Sequence, residues 1–153
     1  EIVSRDWSSD VCSSDLLELR YRLSPGRQSR VIGGSSLGGL MSLYVLAAHP
    51  QVWGGAVAMS GSWWWKDLYM KTWLAQVWSP LPVRVWLDAG TQSDGLTDAQ
   101  VIRQTLLSLG LQEPDTLGFY IAQGAGHNEA SWGARVHLPL AYFFDPGDLQ
   151  KPF

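Results

Sequence analysis

The chain of 153 residues has little cysteine, no basic block and no long apolar run, and each shortage excludes something. Its one cysteine, Cys12, can form no disulfide within the chain and gives no cysteine cluster for a metal. A net charge of −3 without a basic block argues against nucleic acid or an anionic membrane surface as a partner. No apolar run approaches the length of a membrane span. The length suits one domain with a hydrophobic core, and the cellular compartment stays open.

The first stretch of the chain does not have the pattern of a folded segment. Residues 5–16 read Arg-Asp-Trp-Ser-Ser-Asp-Val-Cys-Ser-Ser-Asp-Leu and show neither helical nor strand periodicity. They resemble the translation of a widely used sequencing-adapter oligonucleotide. On that interpretation residues 1–16 are an assembly artefact, and Cys12 carries no biological information. Residues 17–153 are then expected to be the C-terminal part of a single domain. The alternative is a genuine Ser/Asp-rich tail.

From Leu17 onward, short apolar runs alternate with segments of helical periodicity. The predicted strands are Arg30–Gly33, Gly54–Met59, Val83–Leu87 and Leu117–Ile121. The predicted helices are Leu37–Ala48, Lys66–Trp78, Thr97–Leu109 with Thr97 as N-cap, and Ala130–Phe144 with a bend at Pro139. This alternation predicts an α/β fold with about four parallel strands and helices on both faces of the sheet.

The stretch Val31–Leu40 carries the strongest functional signal. Gly34, Ser36 and Gly38 form the Gly-x-Ser-x-Gly pattern of a nucleophile elbow, set between an apolar strand and a helix-forming run. A serine at the tip of so tight a turn has a strained backbone, and its hydroxyl stands clear of the sheet. We expect the flanking glycines to be required because strand and helix converge there, with Gly39 allowing close helix packing. The alternative is a Gly/Ser-rich loop.

Three residues after predicted strands form a candidate catalytic triad. Loops at the carboxyl ends of parallel strands gather functional groups. Ser36 follows the first strand, Asp94 the third and His127 the fourth. A neutral imidazole would take the serine proton, and a carboxylate would hold the imidazole tautomer and stabilise the imidazolium. Leu37, directly after the serine, would donate one backbone N–H to an oxyanion hole.

The acid has three candidates. Asp88 directly follows the third predicted strand and would instead hydrogen-bond the loop backbone. Asp98 is typical of the first turn of a helix, where the helix dipole favours it. Asp94 lies far enough out on the loop to reach His127, so it is preferred. The other histidine near the carboxyl end, His137, is expected to be a surface or packing residue.

Three consecutive tryptophans, Trp63, Trp64 and Trp65, follow the second strand on the side of the sheet that carries the triad. Tryptophan offers a large apolar area, so these residues could wall a pocket for an aromatic or extended acyl group. They could equally pack under the following helix. We expect at least one to line the site and at least one to belong to the core, with Trp63 and Trp64 as the candidates for substrate contact.

Three segments together resemble one family. Gly34–Leu40, Ser60–Trp64 and Gly126–Trp132 are similar to motifs of the esterase family that includes esterase D and enterochelin esterase-like proteins, with feruloyl esterases as relatives. The Ser-Gly-Ser-Trp-Trp segment is most similar to the enterochelin esterase branch. The resemblance covers about residues 17–144. It implies an α/β-hydrolase fold, with Ser36 as the nucleophile and His127 as the base.

The resemblance also implies an activity. It is that of a serine carboxylesterase that cleaves a small-molecule ester through an acyl-enzyme, with no metal and no cofactor. In the family an acid commonly follows the Gly-Thr of the third-strand loop, where this chain has Ser93 and then Asp94. The family's upstream strands and second oxyanion donor would precede Leu17, which would leave the first strand as a bare edge open to self-association. The alternatives are a non-catalytic fragment and an acyltransferase related to mycolyltransferases.

Overall fold

A computed structural model describes residues 20, 21, 24 and 26–144. The adapter-like segment 1–16 lies outside the described residues. Four parallel strands form one sheet in the order β1 to β4: β1 (Val31–Ser35), β2 (Gly55–Met59), β3 (Arg84–Gln92) and β4 (Leu117–Gly126). The helices are α1 (Leu37–Ala48), α2 (Tyr69–Val77), α3 (Leu96–Ser108), α4 (Glu129–Arg135) and α5 (His137–Phe143). The predicted α/β architecture is confirmed.

The helices cover both faces of the sheet because alternate strand residues point to opposite sides. On one face, strand side chains pack with leucines of α1 and α3 in the main hydrophobic core. Its fully buried members include Leu43, Leu46, Ala56, Val85, Leu87, Ile102 and Leu106. On the other face, Trp86 of β3 lies against Tyr142 of α5, with 5.5 Å between ring centroids. Phe143 of α5 fills the space that a side chain at Gly55 would need.

Both strands that precede the predicted acid and base are longer than expected. β3 continues from Leu87 to Gln92, and β4 continues from Ile121 to Gly126. These extensions pair with each other, with an irregularity in register between Gly90 and Gln92. The two extensions contain polar residues and glycines in place of an apolar run, so the sequence pattern does not predict a strand there. Asp88 therefore lies inside β3 and is fully buried, which corrects its predicted place on the loop.

Two predicted helices differ in their bounds. The helix expected from Lys66 begins only at Tyr69, because residues 66–68 all have positive φ values and form turns. The helix expected over Ala130–Phe144 is two helices, α4 and α5, that meet at Val136. Pro139 explains this break: in a continuous helix its N–H would bond the carbonyl of Arg135, and proline has no N–H. The predicted bend is thus a complete interruption.

The start of α3 also differs from the expectation. The N-cap of α3 is Gly95, in a left-handed conformation with φ of 69°, and Thr97 lies inside the helix. No helix among the described residues is both long and apolar enough to cross a bilayer.

β1 is an edge strand within the described part of the chain, where it pairs only with β2. Its outer edge presents unpaired backbone N–H and C=O groups beside half-buried Val31 and Ile32. Such an edge is a template for pairing with a second copy. We therefore expect the chain to self-associate as its concentration rises, measured by size-exclusion chromatography with light scattering.

Val31→Lys is expected to weaken this association, because a charge on an edge strand opposes pairing. Gln104→Lys, on the exposed surface of α3, is the matched control and should leave association unchanged. A monodisperse monomer at every concentration of the unmodified chain would contradict the prediction.

Candidate active site

Ser36 lies at the turn between β1 and α1, with φ of 58° and ψ of −121°. L-residues rarely adopt this region, so the turn is strained. Two backbone hydrogen bonds hold it: the Ser36 N–H donates to the Met59 carbonyl, and the Ser62 N–H donates to the Ser36 carbonyl, each at 3.0 Å. The last residue of β2 and the segment that follows it therefore help to fix the serine at the carboxyl edge of the sheet.

The glycines of the motif have different reasons for being glycine. A Cβ on Gly34 would lie 2.8 Å from the carbonyl carbon of Gly38, so β1 and α1 can converge only without it. A Cβ on Gly39 would lie 3.1 Å from the Met59 carbonyl oxygen, which agrees with the expected close packing. A Cβ on Gly38 would meet nothing within 4 Å. The expected steric requirement at Gly38 is therefore wrong, because its backbone is crowded and its side-chain position is open.

The structure brings the three predicted residues of the triad together. His127 Nε2 lies 2.8 Å from Ser36 Oγ, and His127 Nδ1 lies 2.7 Å from Asp94 Oδ1. The Asp94 side chain has no exposed surface, whereas 36% of the His127 side chain is exposed. Since an ionised carboxylate only accepts hydrogen bonds, Nδ1 carries the proton and Nε2 is free to accept the serine hydroxyl. The rings of Trp132 and His127 pack in a T-shaped contact, with 5.0 Å between ring centroids.

The other two candidate acids lie elsewhere. Asp98 is in the first turn of α3, as its sequence position suggested. Asp88 accepts hydrogen bonds from Trp86 Nε1 at 3.0 Å and from Arg135 Nε at 3.0 Å. Of the three acids, Asp94 is the one whose carboxylate contacts His127. His137 is exposed at the start of α5.

Backbone strain recurs around the site. Ser36, Ser60 and Ser93 follow β1, β2 and β3 respectively, and all three have positive φ values, of 58°, 44° and 52°. Non-glycine residues in this region cost on the order of 1–3 kcal/mol each and cluster at functional sites. Ser36 contacts His127, Ser60 contacts Asp94, and Ser93 directly precedes Asp94, so all three strained residues lie at the triad.

Sequence reasoning missed three polar residues that surround the triad. Ser62 Oγ lies 3.1 Å from Ser36 Oγ, and the Ser60 hydroxyl donates to Asp94 Oδ2 at 2.6 Å. Arg135 Nη2 donates to Ser60 Oγ at 2.6 Å. The two serines follow β2 at the carboxyl edge, so the rule that selected Asp94 could have found them. Arg135 has no such signal, because its burial depends on where α4 packs.

The N–H of Leu37 opens α1, where the first N–H groups have no partner within the helix. It is therefore available to a ligand at Ser36, and the positive end of the helix dipole lies at the same place. No group of His, Cys, Asp and Glu among the described residues could hold a metal ion.

The tryptophans divide between the core and the surface. Trp63 is 1% exposed and belongs to the core, so its predicted contact with a substrate is wrong. Trp64 is 63% exposed. Trp65, rather than Trp63, lines an open apolar groove of about 580 Å³ between α1 and α2. The other residues that line this groove are Leu37, Leu40, Met41, Tyr44, Tyr69, Met70 and Trp73.

A strained serine between a parallel strand and a helix, with Asp94 and His127 after later strands, is the arrangement of an α/β-hydrolase. Residues 11–138 match the family described as "Esterase: Putative esterase", and the chain belongs to that esterase family. The match includes residues 11–16 of the adapter-like segment.

One sequence relative and two solved structures are similar to this chain, and the two structures share its fold. The chain is 28% identical over 122 residues to "Uncharacterized protein YbbA" of Bacillus subtilis strain 168, covering 74% of this chain and 48% of YbbA. The enterobactin esterase FES of Shigella flexneri has a TM-score of 0.76 at 22% identity, covering 91% of this chain and 37% of FES. The S-formylglutathione hydrolase FrmB of Staphylococcus aureus has a TM-score of 0.64 at 16% identity, covering 85% of this chain and 57% of FrmB. The chain thus spans about half of YbbA and just over a third of FES.

Substitution of the two motif glycines tests the steric account of the elbow. Gly34→Ala is expected to destabilise the chain by about 1–3 kcal/mol, because the added methyl group must push α1 away from β1. Gly38→Ala is the matched control and should be neutral or stabilising by up to about 1 kcal/mol, since alanine favours a helix more than glycine does. Urea unfolding measures both, and equal destabilisation by the two changes would contradict the account.

Proposed function

We propose that this chain carries the catalytic residues of a serine carboxylesterase, with Ser36 as nucleophile, His127 as general base and Asp94 as the acid that orients it. One observation carries the proposal: the unbroken contact from Ser36 Oγ to His127 Nε2 at 2.8 Å and from His127 Nδ1 to Asp94 Oδ1 at 2.7 Å. Membership of the esterase family supports the same reaction class.

The chemistry proceeds through an acyl-enzyme. Ser36 Oγ attacks the ester carbonyl carbon while its proton passes to His127 Nε2, and the Leu37 N–H donates to the oxyanion. The tetrahedral intermediate collapses as His127 returns that proton to the departing alkoxide. Water then attacks the acyl group, gives a proton to His127, and the serine is restored when that proton returns to Ser36 Oγ. Asp94 stays ionised throughout and stabilises the imidazolium.

The proposed substrate is a small-molecule ester with an apolar part. FES and FrmB are named as hydrolases of small molecules, enterobactin and S-formylglutathione. In this chain the groove that Trp65 lines starts at Leu37, directly after the nucleophile. An apolar acyl or aryl group in this groove would leave the ester carbonyl beside Ser36. Trp64, which directly precedes Trp65 in the chain, is exposed and is the second candidate for substrate contact.

The alternative is a chain with the triad geometry but without turnover. An oxyanion hole needs two donors, and Leu37 supplies one of them. Removal of one donor typically lowers turnover about 100- to 1000-fold. Nucleophile reactivity and turnover are therefore measured separately, the first by a fluorophosphonate probe and the second by hydrolysis of p-nitrophenyl acetate. Labelling without turnover would favour this alternative.

Ser36→Ala is expected to abolish fluorophosphonate labelling, because the probe bonds only to an activated hydroxyl. Mass spectrometry of the digested chain should locate the added phosphonyl group on Ser36. The matched control is Ser35→Ala, which removes the neighbouring hydroxyl and should label at the unmodified rate. Full labelling of the Ser36→Ala chain would overturn the proposed nucleophile.

Asp94→Asn tests the choice of acid. The amide cannot hold the required imidazole tautomer, so we expect the labelling rate to fall roughly 1000- to 10,000-fold. Asp98→Asn removes a carboxylate from the first turn of α3 and should leave the rate unchanged. If Asp98→Asn slows labelling as much as Asp94→Asn does, the assignment of the acid is wrong.

A further inference from the structure

The Arg135 side chain is buried, with 5% of its surface exposed, and it links α4 to the sheet. Its Nε and Nη2 atoms donate to Asp88 Oδ1 at 3.0 and 2.9 Å, and Nη1 donates to the Ser131 carbonyl at 2.9 Å. A buried guanidinium needs such partners. Asp88 alone would balance its charge, yet Nη2 also donates to Ser60 Oγ at 2.6 Å and lies 3.5 Å from Asp94 Oδ2.

The direction of the hydrogen bonds in this cluster is fixed by chemistry. A guanidinium only donates, so Ser60 Oγ accepts from Arg135. The single hydroxyl proton of Ser60 is then left for Asp94 Oδ2, at 2.6 Å. The Gly90 N–H donates to the same oxygen. Since Oδ2 is occupied by these donors, Oδ1 is the oxygen that remains for His127, and a rotation of the carboxylate would break both bonds.

The cluster of Asp88, Arg135 and Asp94 has one net negative charge, which would stabilise a protonated imidazole. Asp88 and Arg135 form an ion pair at 2.9 Å, so together they contribute no net charge. Asp94 adds one negative charge, which faces His127. Arg135 can therefore hold Asp94 in place without cancelling the negative charge of Asp94, because Asp88 neutralises the guanidinium. The negative charge of Asp94 is then left to stabilise the imidazolium of His127.

Ser60 combines a strained backbone with a hydroxyl that contacts both Arg135 and Asp94. Its φ of 44° lies in the left-handed region, which glycine adopts with less strain. The Ser60 N–H is held by Asp88, donating to its carbonyl at 3.0 Å and to its Oδ1 at 3.2 Å. The strain is tolerated at the residue whose hydroxyl joins Arg135 to Asp94.

We propose that Arg135 is a positioning residue for the triad acid: it acts through the Ser60 hydroxyl to aim Asp94 Oδ1 at His127, with Asp88 as its counter-charge. This inference rests on the proposed function, since it takes Asp94 as the acid of the triad. It assigns a role in catalysis to a side chain that does not touch the reacting atoms.

The test compares Arg135→Met, Arg135→Lys and Ser60→Ala with Arg103→Met as the matched control. Arg103 forms an exposed ion pair with Glu113, outside the cluster. We expect Arg135→Met and Ser60→Ala to slow fluorophosphonate labelling of Ser36 about 100-fold, the loss typical of a misplacement of about 1 Å. Arg135→Lys should recover part of the rate, because it restores a donor to Ser60, and Arg103→Met should match the unmodified chain.

A second readout is the downfield ¹H NMR signal of the His127 Nδ1 proton. It should shift or broaden in Arg135→Met and Ser60→Ala and stay in place in Arg103→Met. If Arg135→Met does not fold, the paired change Asp88→Asn with Arg135→Met removes both buried charges together, which cores often tolerate. It should fold and still label slowly, because Ser60 has lost its donor.

Two results are decisive. A folded Arg135→Met or paired variant with an unchanged labelling rate and an unchanged NMR signal would overturn the positioning role. If Ser36 of the unmodified chain fails to react, but the NMR signal is present and shifts or broadens in Arg135→Met, the proposed function fails while the positioning of Asp94 by Arg135 stands.

Discussion

The buried carboxylate of Asp94 is the constraint on which the site depends. An ionised carboxylate without solvent contact must find donors inside the protein. Here Oδ2 takes the Ser60 hydroxyl and the Gly90 N–H, and Oδ1 faces His127. These donors come from the ends of β2, β3 and β4. They can meet only because parallel strands end at one edge of the sheet. The parallel topology therefore brings together the donors that stabilise the buried carboxylate.

The same edge holds the strained turns. Ser36 and Ser60 both adopt positive φ values, and each is fixed by hydrogen bonds to a neighbouring strand. Strain of this kind persists only where the surroundings over-determine the backbone. The close approach of β1 to α1 at Gly34 is the clearest case, since the space for a side chain is filled by the Gly38 backbone. Packing of the whole elbow therefore holds the serine hydroxyl where His127 can reach it.

The fold is shared with proteins of different substrates. FES and FrmB have the same fold at 22% and 16% identity, and their names describe different substrates. Function on such a scaffold is decided by the side chains at the site. In this chain those are the polar cluster around Asp94 and the apolar groove beside Leu37. Under the proposed function, the cluster would orient the imidazole and the groove would select the ester.

Local pattern by itself determined the strand–helix order, the bounds of α1 and the residues to examine at the ends of strands. The helix Leu37–Ala48 is found because its periodicity and the His49-Pro50 stop are both local. Tertiary structure alone decided the rest. Asp88 is a strand residue because β3 continues to pair with β2 and β4 there, and its buried carboxylate is satisfied by a distant arginine. Trp63 lies in the core whereas Trp65 lines the groove, although the two are only two positions apart. The reason is that propensity depends on neighbours in sequence, whereas the burial of a polar or amphipathic side chain depends on which remote groups satisfy or cover it.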